Sequence, residues 1–208
     1  MKHSLTTLIG FLVIIGCTNT ENIAGGSTDV ETGGIAGVAY INADSTLSAG
    51  TQLILTKTNK SVINQIDQID SIATTTVNQE GLFEFSKLDS GLYNIEAYHS
   101  TTGKRNININ IDVFNDSIQQ IQSFMHTPSK LTLINIPEIY QSSNYQLYIP
   151  GFRLQNSLSV NTSEISIDSI PAGVKFELRI SQNRSEIGFI TEFTLPEDQD
   201  LVVEWDLK

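Results

Sequence analysis

The sequence predicts an all-β protein: two tandem seven-stranded sandwiches of Greek-key type, behind an N-terminal signal peptide and a flexible tether. Three observations lead there. From Ile35 onward, short segments of alternating apolar and polar residues recur at about eight- to twelve-residue spacing, the interval of a β-sandwich. Turn-forming residues separate these segments, and no sustained helical period intervenes. One phrase also occurs twice, as GLFEFSKLDSGLYNIEAY at 81–98 and as SEISIDSIPAGVKFELRI at 163–180. Both copies read as strand, turn closing on glycine, strand.

The first element, 1–16, reads MKHSLTTLIGFLVIIG and precedes Cys17. Lys2 opens a short basic region, and the apolar run Leu5 to Ile15 has secretory-signal length. It falls well short of the ~20 residues of a permanent spanning helix. The segment Ile14-Ile15-Gly16-Cys17 resembles the bacterial lipobox, in which a small residue precedes an obligatory cysteine. The resemblance implies diacylglycerol on the Cys17 sulfur, cleavage before Cys17, and acylation of the freed amine by a chain such as palmitate. Two or three acyl chains hold far more firmly than one, at about 0.8 kcal/mol per buried CH₂. Thr18, rather than Asp, follows the cysteine, which by the same resemblance points to the outer membrane of the cell envelope. Cys17 is the only cysteine, so no internal disulfide can form.

The second element, 17–33, is rich in glycine and small polar residues and reads as a tether. No Gly-Lys-Ser/Thr follows its glycines, so it is no phosphate loop.

The third element, 34–127, holds expected strands near 35–41, 51–58, 72–77, 82–86, 92–98, 105–113 and 117–125. Leu53 with Leu55, Phe83 with Phe85, and Tyr93 with Ile95 and Ala97 each mark a core face. Ile107, Ile109 and Ile111 are expected to share one face in the same way. The turns NQEG, DSG and TTGK supply glycines for positive φ. The fourth element, 128–208, repeats the order, with strands near 131–136, 144–150, 157–161, 164–168, 174–181, 187–194 and 201–207. Leu147 and Ile149 correspond to Leu53 and Leu55. Ile165, Ile167 and Ile170 correspond to Phe83, Phe85 and Leu88, and Phe176 and Leu178 to Tyr93 and Ile95. The polar loop KTNKSVINQIDQID has no counterpart in the second copy. The segment MHTPSKL between the copies is short, and a fixed angle is expected.

Gly37, Ala49-Gly50, Leu53, Leu55, Thr76, Gly81, Phe83, Phe85, Gly91 and Tyr93 together resemble the carboxypeptidase regulatory-like domain. That resemblance covers 35 to about 126 and implies a transthyretin-like sandwich of the carbohydrate-binding-like fold group. Asn78-Gln79 and Asp89-Ser90 depart from its pattern. The second, divergent copy keeps Pro171-Ala172-Gly173 but has Ser163 at the turn-glycine position. The motifs define a fold and carry no catalytic residue.

Charge and side-chain chemistry narrow the function. With 23 acids against 12 bases the net charge is -11, which repels nucleic acid and anionic membrane surfaces alike. After cleavage only His99 and His126 remain, and Thr102 and Ser129 stand three residues beyond them, so no zinc-peptidase cluster exists. No Gly-x-Ser-x-Gly elbow occurs. His99, at a strand exit, is expected to be solvated. Asp67 with Asp70, and Glu197 with Asp198 and Asp200, are expected as solvated loop and turn carboxylates rather than a calcium site. Trp205 alternates with Val203 and Leu207 and should face inward. Tyr148 takes the opposite phase to Leu147 and Ile149 and should face outward. Tyr140, Tyr145 and Tyr148 are the residues that could form a platform for a stacked sugar. The expectation is a lipid-anchored envelope protein with no catalysis, cofactor or metal. It would present β surfaces for structural or adhesive contact with an envelope protein or polysaccharide. The alternative is a cell-surface carbohydrate-binding module.

Overall fold

The structure, a computed structural model, describes residues 32–41, 46–58, 71–152, 155–157, 162–183 and 185–207. Fourteen strands lie within them: β1 (Gly33–Tyr40), β2 (Gln52–Lys57), β3 (Ser71–Thr76), β4 (Leu82–Leu88), β5 (Gly91–Tyr98), β6 (Arg105–Val113), β7 (Ile118–Phe124), β8 (Pro128–Ile134), β9 (Tyr145–Tyr148), β10 (Gln155–Ser157), β11 (Ile165–Pro171), β12 (Lys175–Gln182), β13 (Ser185–Thr194) and β14 (Leu201–Glu204). A single 3-10 turn, Glu138–Tyr140, interrupts them. The chain is all-β, as its alternation requires.

The sheets repeat strand for strand. The first half forms β4-β1-β7 and β3-β2-β5-β6, and the second forms β11-β8-β14 and β10-β9-β12-β13. The outermost pair of the smaller sheet is parallel in both halves, β1 with β7 and β8 with β14, and the other pairs are antiparallel. Residue correspondences hold as well. Leu53 pairs with Ala97, and Leu147 pairs with Ile180. Phe83 and Phe85 face Gly37 and Ile35, while Ile165 and Ile167 face Leu133 and Leu131. Each small sheet then slips at the same place, with Lys87 (φ 58°) before Leu88 and Ser169 (φ 65°) before Ile170. That slip is a bulge, and it puts Leu88 and Ile170 back on the buried side.

Each sandwich has its own core. Ile35, Leu53, Leu55, Phe83, Phe85, Tyr93 and Ile95 anchor the first. Leu131, Leu133, Leu147, Ile149, Phe176, Leu178 and Ile190 anchor the second. Tyr93 also donates its hydroxyl to the Asp89 carbonyl at 2.8 Å, fixing the turn into β5.

Strand β6 departs from the expected alternation. Ile107 pairs across from Glu96, but Ile111 pairs across from Tyr93, with a register shift between. Asn110 takes φ 57° there, and its N–H is accepted by Asn94 Oδ1 at 2.8 Å. Asn94 is itself buried and donates from Nδ2 to Thr58 Oγ1 at 3.0 Å. The bulge turns Ile111 into the first core, leaves Ile109 exposed, and turns Ile107 outward. The three isoleucines therefore do not share a face.

Ile107 is nevertheless only 3% exposed, because it is buried within the core cluster of the second sandwich. Only residues 125–127 separate β7 from β8, and they are held on both sides. Arg105 and His126 exchange backbone hydrogen bonds at 2.9 and 2.8 Å, and the Met125 N–H donates to the Tyr40 carbonyl at 2.8 Å.

Candidate functional site

The tyrosines proposed from sequence fall into two places. Tyr140 closes the 3-10 turn between β8 and β9, and Tyr145 begins β9. Their rings meet edge to face at 5.3 Å. Tyr140 also stacks on Trp205 at 4.9 Å and 29°. All three pack partly buried against the second core, and Gln182 Nε2 donates to the Tyr145 hydroxyl at 3.2 Å. Val203, Trp205 and Leu207 do pack together against that core. Parallel pairing of β14 with β8 sets this phase, and the Trp205 N–H continues it by donating to the Ile134 carbonyl at 3.0 Å.

Tyr148 stands apart, on the outer face of the larger sheet, with Leu147 and Ile149 buried on either side of it in sequence. Its hydroxyl donates to Glu186 Oε2 at 2.6 Å. Arg179, its partner on β12, reaches Glu186 Oε1 at 2.5 Å and Glu177 Oε2 at 2.6 Å. Burial first, and the Glu186 carboxylate second, hold the Tyr148 phenol well above its ordinary 10.0. The folded state thus keeps a proton that the unfolded state loses above pH 10. Stability from this contact is full below that pH and is lost as pH rises further. An alkaline titration followed at 295 nm is expected to show Tyr148 ionising late, and Glu186→Gln is expected to lower its midpoint.

The remaining candidates are occupied locally. His99 is buried, not solvated: at 9% exposure its Nδ1 accepts the Thr102 N–H at 3.2 Å within the TTGK turn. The short turn folds back over the ring, which strand phase alone does not reveal. His126 Nδ1 meets Glu197 Oε1 at 2.7 Å. Asp198 takes φ 56° in its turn, and Asp200 meets Lys130 through its backbone N–H and its ammonium. The three carboxylates thus turn to separate roles. Among the described residues no three His, Cys, Asp or Glu side chains converge as a metal would need. Cys17 and residues 18–31 of the tether, and Ile63, Ile66, Asp67, Ile69 and Asp70 of the polar loop, lie outside the described residues, while Gly33, expected as the end of the tether, begins β1. Among the described residues no helix is long and apolar enough to cross a membrane.

The joint between the sandwiches carries features that sequence reasoning missed. A cleft of about 250 Å³ is bordered by Asn94, Ile109, Pro150, Gly151 and Glu177. A second, of about 190 Å³, lies between Tyr98 and Arg105 on one side and Phe152 and Pro171 on the other. The Arg105 guanidinium lies over the Tyr98 ring at 4.9 Å. The visible signal was Asn110 within an isoleucine run, since asparagine tolerates the left-handed backbone that ends a strict alternation.

Fold and site together define a tandem β-sandwich protein. No family model matches the chain, and no curated protein matches it. Solved structures with a likeness include the Bacillus anthracis TIE protein, at 11% identity and TM-score 0.33, over 85% of this chain and 34% of that one. A streptococcal ancillary pilin matches at 13% identity and TM-score 0.33, over 87% and 64%. GBS52, the minor pilin of Streptococcus agalactiae, matches at 14% identity and TM-score 0.33, over 84% and 94%. The chain thus spans about a third of the first of these proteins.

Proposed function

We propose that this chain is a non-catalytic, lipid-anchored envelope protein that presents two carboxypeptidase regulatory-like sandwiches for structural or adhesive contact. The observation that carries this reading is the joint. Ile107 of one sandwich is buried in the core of the other, so the pair is held at a fixed angle. A stiff body on a glycine-rich tether transmits contact without reaction chemistry. Among the described residues, both histidines and the part-buried arginine have local partners: His99 with Thr102, His126 with Glu197, and Arg179 with two glutamates. The lipobox-like ending at Cys17, followed by Thr18, supports attachment to membrane lipid, in the outer membrane. The contacts made there are with envelope protein or polysaccharide.

The test is metabolic labelling with a clickable palmitate analogue. The wild-type chain is expected to carry label and to sediment with membranes. Cys17→Ser is expected to remove the label and release the chain to the aqueous fraction. An unlabelled, freely soluble wild type would sink the anchoring half of the reading.

The carbohydrate-binding alternative draws on the contacts of Tyr140 with Tyr145 and with Trp205. It requires retention on a glycan panel that Tyr140→Ala abolishes.

A further inference from the structure

In this acidic chain most cations already have a carboxylate. Lys130 sits on Asp200, Lys175 on Glu192, and Arg179 on both Glu177 and Glu186. Arg105, the other described arginine, differs. Among the described residues its guanidinium has no ion pair and no hydrogen-bond acceptor, and it lies over the Tyr98 ring at 4.9 Å. A ring face attracts the charge but leaves the five N–H donors of a guanidinium without an oxygen. Such donors, when partly buried, favour a site that can supply one.

The residue is also held in place. Arg105 is partly buried and pairs with Tyr98 across β5 and β6. Its backbone exchanges both hydrogen bonds with His126. It borders the cleft of about 190 Å³ at the joint. Ile54 of the first sandwich, and Phe152 and Pro171 of the second, supply apolar walls there. None of these three side chains can donate or accept a hydrogen bond. Glu96 borders the cleft as well and already has a partner of its own.

We propose that this cleft binds a carboxylate carried on an apolar body, the chemistry of the last residue of a polypeptide chain. Arg105 would hold both carboxylate oxygens through two parallel N–H donors, the geometry its planar fork favours. Ile54, Phe152 and Pro171 would pack on the apolar body and exclude water, which strengthens the pair. The net charge of -11 repels anions at long range, so a bound carboxylate is held by this local pair. Size and lining select a polypeptide end over a polysaccharide. The volume lies below the ~300–1,000 Å³ of sites for drug-sized ligands, so it suits one terminal residue rather than a run of sugars. A sugar acid would satisfy Arg105 but set its hydroxyls against walls that cannot bond them. Nothing in this site depends on lipid at Cys17.

The test uses the full chain with Cys17→Ser and N-acetyl-leucine as the probe. Amide NMR is expected to show saturable shifts at Tyr98, Arg105 and Phe152 with the probe at millimolar concentration. N-acetyl-leucinamide lacks the charge and is expected to bind at least tenfold more weakly. Glucuronic acid keeps the charge but brings hydroxyls, and it is expected to be at least tenfold weaker as well. Arg105→Gln is expected to weaken the acid at least tenfold, with circular dichroism checking the fold. Acid and amide are compared on the same unaltered cleft, so the test stands even if that variant unfolds. No saturable shift with the acid, equal binding of the amide, binding indifferent to Arg105→Gln, or glucuronic acid bound as tightly would each overturn the proposal.

Discussion

Ile107→Ala is expected to destabilise the protein by about 2–5 kcal/mol, the range for truncating a buried isoleucine. It is also expected to divide one unfolding transition into two. Ile107 belongs to the first sandwich by its strand and to the second by its packing. Removing its side chain opens a void at the joint and deletes an apolar contact that couples the two cores. Among the described residues the remaining couplings there are backbone hydrogen bonds, the partly exposed His126–Glu197 contact, and the borders of the two clefts. Exposed ion pairs contribute about 0–1 kcal/mol and cannot replace the lost packing. The measurement is built into the chain. Trp205 is the only tryptophan and lies against the second core, so its fluorescence reports that sandwich alone, while circular dichroism reports both. In wild type the two denaturation curves are expected to coincide. In Ile107→Ala they are expected to separate. Ile109→Ala, on the same strand but 37% exposed, is expected to leave them superimposed. Superimposed curves in Ile107→Ala would mean the joint does not couple the sandwiches through this residue.

The contrast between Ile107 and Ile109 also shows how far the sequence could be read. Alternation places the strands because one buried face imposes a period of two, and Phe83, Phe85, Leu53 and Leu55 obey it. It even carries the bulge in the small sheets: Phe83, Phe85, Leu88 and Ile165, Ile167, Ile170 share a spacing of two and then three, which is the mark of one inserted residue. Such a mark is readable only because the repeat shows it twice. The bulge at Asn110 occurs inside the unbroken ININI run at 107–111, where strict alternation gives no sign of an inserted residue. Long-range pairing is harder still. Tyr148 lies far in sequence from Arg179 and Glu186 and meets them only through the register of β9, β12 and β13. Nothing local to Tyr148 foretells the carboxylate on its hydroxyl. Trp205 shows the other limit. Its inward phase is legible, but the Tyr140 ring on which it stacks comes from a turn that no strand pattern places.

Gly37→Leu is expected to abolish folding of the first sandwich, although leucine is native at the matching position of the second. Gly37 sits mid-strand in β1, between Phe83 of β4 and Ile121 of β7. Leu133 sits in β8 between Ile165 of β11 and Val203 of β14. A Cβ on Gly37 would collide with the Ile121 carbonyl oxygen and lie 2.8 Å from the Phe83 ring. The ring could turn away, but the carbonyl belongs to the parallel ladder and cannot move without breaking it. The first sandwich thus fills this space with a phenylalanine over a glycine, and the second with a leucine over an isoleucine. Gly37→Ala alone is expected to cost about 1–3 kcal/mol or more by overpacking. Because the closer contact is backbone, adding Phe83→Ile to Gly37→Ala is expected not to restore the urea midpoint. The mirror change, Leu133→Gly, is expected to destabilise by cavity formation, about 2–5 kcal/mol, with added loss from glycine in a strand. A Gly37→Ala chain with an unchanged midpoint, or one fully rescued by Phe83→Ile, would show that β7 yields at Ile121 and that the two sandwiches tolerate the same residue here.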